Sequence, residues 1–139
     1  MKHHHEPSKL EMQVLSVLWK RGPLTVRDVL ESMPDGKSRA YTTVLSVMQV
    51  MEKKGLLSHT TQGNTHLYKA QVSREEVAGP VLQGLVRQVF GGAATAFQHL
   101  LSEKAVSQAE LDEIKRLIAE HDQSDKQNSG KTESKKRKP

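Results

Sequence analysis

Ala40-Tyr41-Thr42-Thr43-Val44-Leu45-Ser46-Val47-Met48-Gln49-Val50-Met51-Glu52-Lys53-Lys54-Gly55-Leu56-Leu57 reads as an amphipathic helix that runs straight into the first strand of a hairpin. Val44, Val47, Met48 and Met51 recur at the three- and four-residue spacing of a core-facing stripe. Thr42, Thr43, Ser46, Gln49 and Lys53 fall on the opposite side. Short hydroxyl side chains on an exposed helix face suit contact with base edges or phosphates, and an ordinary solvated face produces the same pattern. The flanking sequence bears on that choice.

Downstream, Lys53-Lys54-Gly55 is a helix stop, with cations in the last turn and glycine behind them. Leu56 to Thr61 and His66 to Ala70 follow as two short strands, joined through Gln62-Gly63-Asn64-Thr65 as a hairpin tip. Upstream, Ser8 with Glu11 forms a capping box, and Thr25 with Asp28 a variant of it; Ser73 with Glu76 and Ser107 with Glu110 repeat the device further on. These signals place helices near residues 9–20, 26–32, 39–54, 74–90 and 108–121. Met33-Pro34-Asp35-Gly36 supplies a sharp turn between the second and third. Helix, helix, helix, hairpin is the order of a winged helix-turn-helix, assigned to residues 8–72 behind a flexible leader at 1–7.

Residues 73–121 are a different kind of sequence. Val77, Val81, Leu82, Leu85, Val86, Val89 and Phe90 form an apolar stripe wider than one short helix buries in its own chain. Gly79-Pro80 interrupts the stripe, so a kink or a helix start is expected at Pro80. After Gly91-Gly92, a short helix spans Ala93 to Leu101, and Leu111, Ile114, Leu117 and Ile118 give the last helix a narrow seam. Three helices with so little core of their own fit a dimerisation domain, with Val81, Leu82, Leu85, Val89, Phe90, Leu111, Ile114, Leu117 and Ile118 at its interface. The fold class is therefore mainly α with a small β-hairpin wing. From Asp122 to the end the composition is polar and charged, and a disordered basic tail over 122–139 is expected. Its Lys135-Lys136-Arg137-Lys138 cluster reads as a solvated end, a weak DNA contact or a nuclear-import pattern.

Composition narrows the function. The 139 residues carry a net charge of +5 and no cysteine, which removes disulfides, thiol nucleophiles and thiolate metal sites. Residues 8–70 hold nine Lys/Arg against five Asp/Glu, residues 71–121 five against seven, and residues 122–139 six against three. A basic first half faces an anionic partner more readily than the acidic middle. No apolar run is long enough to cross a bilayer and no signal peptide is visible, so a soluble, cytoplasmic protein without membrane insertion is expected.

The chain resembles the BlaI/MecI family of penicillinase repressors over about residues 8–121. The resemblance rests on Leu10-Glu11, Val14-Leu15 and Leu18-Trp19 in the first helix, Thr25-Val26-Arg27-Asp28-Val29 at the second, and Tyr41-Thr42-Thr43-Val44-Leu45 at the third. It continues through Glu52-Lys53-Lys54-Gly55-Leu56, Leu67-Tyr68 and Phe90-Gly91-Gly92. It implies a homodimeric repressor on a palindromic operator of double-stranded DNA. It also implies relief through a sensor protease or antirepressor acting on the dimerisation domain, usually at an Asn-Phe bond. Here the corresponding bond falls at or near His99-Leu100, and Val50 stands where the family often has a basic residue. The cysteine cluster of a copper-responsive branch is absent.

A recognition helix in the major groove needs short hydrogen-bonding groups in its N-terminal half. Arg39, Thr42, Thr43 and Ser46 are the candidate base-reading residues, with capping or plain solvation as their alternative roles. Tyr41, Lys53, Lys54 and Lys69 are candidate backbone contacts, together with the wing tip Gly63-Asn64, which otherwise only closes the hairpin. Trp19 belongs to the core. His3, His4 and His5 sit in the leader; His59, His66 and Tyr68 share a hairpin face if residues 61 and 66 pair, without a third ligand of the usual kind. No metal site, cofactor or catalytic constellation is expected, and the chain does not read as an enzyme. The competing function is a winged-helix protein-interaction module in a larger assembly, without sequence-specific DNA binding.

Overall fold

The computed structural model describes residues 6–136, so the leader histidines His3, His4 and His5 and the last residues 137–139 lie outside the described residues. The chain divides after Val89 into two units. In the first, α1 (Lys9–Arg21) starts on the expected capping box: the Glu11 N–H donates to Ser8 Oγ at 3.1 Å and the Ser8 N–H to Glu11 Oε1 at 2.9 Å. The helix buries Val14, Leu15, Val17 and Leu18. Helix α2 (Val26–Ser32) is capped by Thr25, whose hydroxyl accepts from the Asp28 N–H. A single 3-10 turn at Gly36–Ser38 follows. Gly36 lies so close to α2 that an added Cβ would stand 2.0 Å from the Leu30 carbonyl oxygen, so no larger residue fits there.

Helix α3 (Tyr41–Lys53) begins two residues later than the sequence predicts, because Arg39 and Ala40 keep extended backbones. Val44, Met48 and Met51 are fully buried against α1 and α2, and Leu45 and Val47 are packed beside them. The helix ends in a Schellman motif: the Leu56 N–H donates to the Met51 carbonyl and the Gly55 N–H to the Glu52 carbonyl, with Gly55 at φ +85°.

The hairpin pairs β1 (Leu57–Gln62) with β2 (Thr65–Ala70), in antiparallel register from Leu57↔Ala70 to Gln62↔Thr65. Each strand takes in one more residue at the tip than expected, so Gln62 and Thr65 pair and only Gly63-Asn64 turn. Gly63 has φ +61°, the conformation that a two-residue hairpin turn asks of its first central position. Leu24 adds a third, one-residue rung, exchanging both backbone hydrogen bonds with Tyr68 at 3.0 and 2.8 Å. That rung anchors the buried Tyr68 and fixes the wing beside α2. Trp19 donates its indole N–H to the Val72 carbonyl at 2.8 Å and so ties α1 to the segment leaving the wing.

The Ser73–Glu76 capping box starts α4 (Arg74–Gly84), which runs through Pro80 instead of beginning there. The box and the burial of Val77 hold the first turns in place despite the backbone bond that proline removes. One wide π turn, Leu85–Val89, completes the unit.

In the second unit, Gly91 and Gly92, at φ +75° and +148°, lead into α5 (Ala93–Ser102). The Ser107–Glu110 cap then opens α6 (Gln108–Lys136). Helix α6 continues well past residue 121, where the sequence predicts an unstructured tail. No proline interrupts it, and local pairs such as His121 with Asp125 add support. Residues 122–128 are exposed, so no burial supports the continuation. No described residue of α5 or α6 is fully buried, and Leu100, Leu101, Leu117 and Ile118 are exposed.

Candidate nucleic-acid interface

The outward face of α3 follows from its inward one. With Val44, Met48 and Met51 locked in the core, Thr42, Thr43, Ser46, Gln49, Val50 and Lys53 are all turned to solvent. They extend over roughly 16 Å of helix at 1.5 Å per residue. The first turn has no capping side chain from Ala40, and the Thr43 N–H donates to the Ala40 carbonyl at 3.1 Å.

The four candidate base readers do not share one environment. Thr42, Thr43 and Ser46 stand on the exposed face, whereas Arg39 is turned aside from it. Its guanidinium is 2.8 Å from Asp35 Oδ2 and 3.4 Å from Gln13 Oε1 on α1. That pairing lowers the Asp35 carboxyl below its ordinary value, the hydrogen bond from Arg39 being the main cause.

The candidate backbone contacts divide in the same way. Lys53 is exposed at the end of α3, but Lys54 is committed to the 7%-exposed Glu11, with Nζ 3.1 Å from Oε2. Lys69 pairs with Ser58 at the root of the hairpin, on the face opposite to Tyr68. Gly63 and Asn64 form the exposed tip. Tyr41 is partly exposed, and its ring lies 5.4 Å beneath the guanidinium carbon of Arg27. Sequence reasoning does not single out Arg27 as a site residue. Its signals are a position two residues after a helix cap and a place in the second-helix motif, and the partner ring fourteen positions away cannot be inferred from spacing.

Between α3 and the wing tip is an open groove of about 520 Å³, lined among others by Thr25, Arg27, Tyr41, Gln49, Asn64 and His66. Its wing side carries a stacked pair of imidazoles. Thr61 and His66 do pair across the hairpin, which puts His59, His66 and Tyr68 on one face, and the two imidazole rings lie 4.2 Å apart at an interplanar angle of 11°. His59 Nδ1 is 2.8 and 2.7 Å from the two carboxylate oxygens of Glu52, near the end of α3. Burial raises the Tyr68 hydroxyl, and the charges of Glu52 and Tyr41 add to the effect. Among the described residues no group of three His, Asp or Glu side chains is placed to hold a metal.

The dimerisation candidates also separate. Val81 lines a small cavity with Leu56 and Val77, against the core of its own unit. Leu82, Leu85 and Val89 are exposed, Val89 at 68%, as are Leu117 and Ile118, the latter at 57%. Phe90 is half-buried against the His99 ring, with centroids 5.4 Å apart, and Leu111 and Ile114 are half-buried. His99 and Leu100 are exposed within α5, so the bond between them is helical.

Three helices, a two-stranded wing and a hydroxyl-lined third helix define a winged helix-turn-helix of the DNA-binding type. The penicillinase repressor family matches residues 7–120, and the chain belongs to it, as a transcriptional repressor and not an enzyme. It is 34% identical over 114 residues to "Transcriptional regulator BlaI" of Mycobacterium tuberculosis, covering 80% of this chain and 81% of that protein. It is 20% identical over 122 residues to "Penicillinase repressor" of Bacillus licheniformis, covering 87% and 95% respectively. The solution structure of the DNA binding domain of the repressor BlaI matches at 22% identity over 55% of this chain and 93% of that one, with a TM-score of 0.47. No helix among the described residues is long and apolar enough to cross a membrane.

Proposed function

We propose that the protein is a homodimeric repressor that acts in the cytoplasm, where α3 of each subunit enters the major groove at one half of a palindromic operator. The observation that carries this reading is the exposed run Thr42, Thr43, Ser46, Gln49, set on a helix whose inner face is fully buried. The core fixes the helix, so the hydroxyls present a defined surface to base edges, and the threonine methyls fit against thymine. Lys53 and the wing tip Gly63-Asn64 take the flanking phosphates. Arg39 joins them only by leaving Asp35, and Lys54 only by leaving Glu11, so both act first as structural residues.

The second unit supports dimerisation. None of its described residues is fully buried and Leu117 and Ile118 are exposed, so it gains stability when a second copy covers it; Leu82, Leu85 and Val89, exposed at the end of the first unit, are further apolar surface for such a copy. Relief by a sensor protease at His99–Leu100 requires α5 to unwind locally, since a protease binds its substrate in extended form. The interaction-module alternative gains nothing from a third helix whose outer face is hydroxyl-rich and carries Lys53.

The test is a binding titration on fragments of the source genome, followed by sequencing of the retained DNA. An inverted repeat with half-sites roughly 34 Å apart, and an affinity that falls steeply with salt, is the expected result. Retention without any preference over bulk DNA would refute the proposal.

A further inference from the structure

The stacked imidazoles stand on a hairpin whose strands are already joined by backbone bonds and by the Tyr68 anchor. Their placement is specific nonetheless. His59 is gripped by Glu52 through Nδ1, so that nitrogen carries a proton and donates it to the carboxylate. The His66 ring lies flat on it at 4.2 Å and is itself exposed to the groove. Across that groove the Arg27 guanidinium is held over the Tyr41 ring. The Arg27 cation and the His66 imidazole thus line one groove, together with Tyr41 and Gln49 of α3.

We propose that His66 and Arg27 form a phosphate-binding subsite for the DNA backbone, in which His66 takes up a proton as the strand enters. The inference rests on the DNA-binding role proposed above. A phosphate facing His66 attracts the charged form of its ring, so the proton and the phosphate bind together. The charged and titratable groups around His66 are His59 from β1, Tyr68 from β2, Tyr41 from α3 and Arg27 from α2, with Glu52 acting through His59. Imidazole is the side chain whose charge changes between pH 5 and 8, so the coupling falls in the accessible range.

The experiment is operator affinity measured with the full chain from pH 6 to pH 8 at constant ionic strength. Operator here means the DNA retained in the selection above. Wild-type affinity should rise as pH falls, by up to about one proton, or tenfold per pH unit, for each subunit. His66→Gln should flatten that profile, and His66→Lys should make binding independent of pH while keeping the wild-type salt dependence. Arg27→Gln should lower the salt slope by roughly one per subunit at any pH. A wild-type pH slope retained in His66→Gln overturns the proposal. Failure of the wild type to select any operator would instead overturn the repressor reading, so the two failures are distinguishable.

Discussion

Lys54 Nζ lies 3.1 Å from Glu11 Oε2, joining the end of α3 to the first turn of α1 across 43 positions of sequence. The same carboxylate accepts the Ser8 N–H, so one side chain caps α1 and positions the helix that carries the candidate DNA surface.

Glu11→Ala should therefore destabilise the winged unit by about 1–2 kcal/mol, measured by urea unfolding, whether or not DNA is present. Burial on its own raises the Glu11 carboxyl, but the Ser8 backbone and the Lys54 ammonium outweigh it and leave the group below its ordinary 4.5. A carboxyl depressed in the folded state stabilises fully above its unfolded value, and that contribution is lost as pH falls below about 4.5. Acid unfolding of wild type should show this loss, and Glu11→Gln should remove that component. An unchanged acid limb in the variant would contradict the assignment.

Lys54→Ala and Lys53→Ala should differ. The first leaves a buried charge without its partner and should lower stability, whereas the second should leave stability within about 0.5 kcal/mol. In DNA titrations Lys53→Ala should weaken all sequences alike and reduce the salt slope by about one per subunit.

Thr43→Ala with Ser46→Ala should reduce preference for operator over random DNA, at about 1–3 kcal/mol for each base that is no longer read, with little change in the salt slope. Equal weakening on operator and random DNA would show that the hydroxyls do not read bases.

Ile118→Asp should shift the protein from dimer to monomer in sedimentation equilibrium while leaving the first unit folded, because a carboxylate has no partner in an apolar interface. If the variant sediments like wild type, the exposed seam of α6 is not what holds two copies together.

Gly36→Ala should be among the most damaging small substitutions, since the added methyl meets the Leu30 carbonyl oxygen and the turn must open. Its thermal midpoint should fall well below that of Gly22→Ala, where the added Cβ meets nothing within 4 Å and only the positive φ is strained.

The parts of the fold legible in the sequence are those written in periods and caps. Val44, Met48 and Met51 announced the inner face of α3, the four Ser and Thr caps located four helix starts, and the turn residues at Gly63-Asn64 set a register that brings His59, His66 and Tyr68 onto one face. What escaped depends on separation in space. The sequence does not reveal that Lys54 is spoken for by Glu11 or that Arg27 meets Tyr41, and a single rung at Leu24 has no period to detect. Arg39 is the instructive intermediate. Asp35 is only four residues away, yet the pair forms because a 3-10 turn and an extended Arg39 lie between them, not through helical spacing. The end of α6 escaped for a different reason: its polar composition signals the lack of a core, and an exposed helix has no apolar period to mark how far it runs.

Trp19, the one tryptophan of the chain, is packed in the first unit with its indole on the Val72 carbonyl, and the second unit contains none. Intrinsic fluorescence excited at the indole band is thus a built-in optical label for one half of the molecule. Helical circular dichroism records both halves. Following the two signals through a single denaturation would separate loss of the DNA-facing unit from loss of the helices beyond Val89, and non-coincident transitions would mean that the two melt independently.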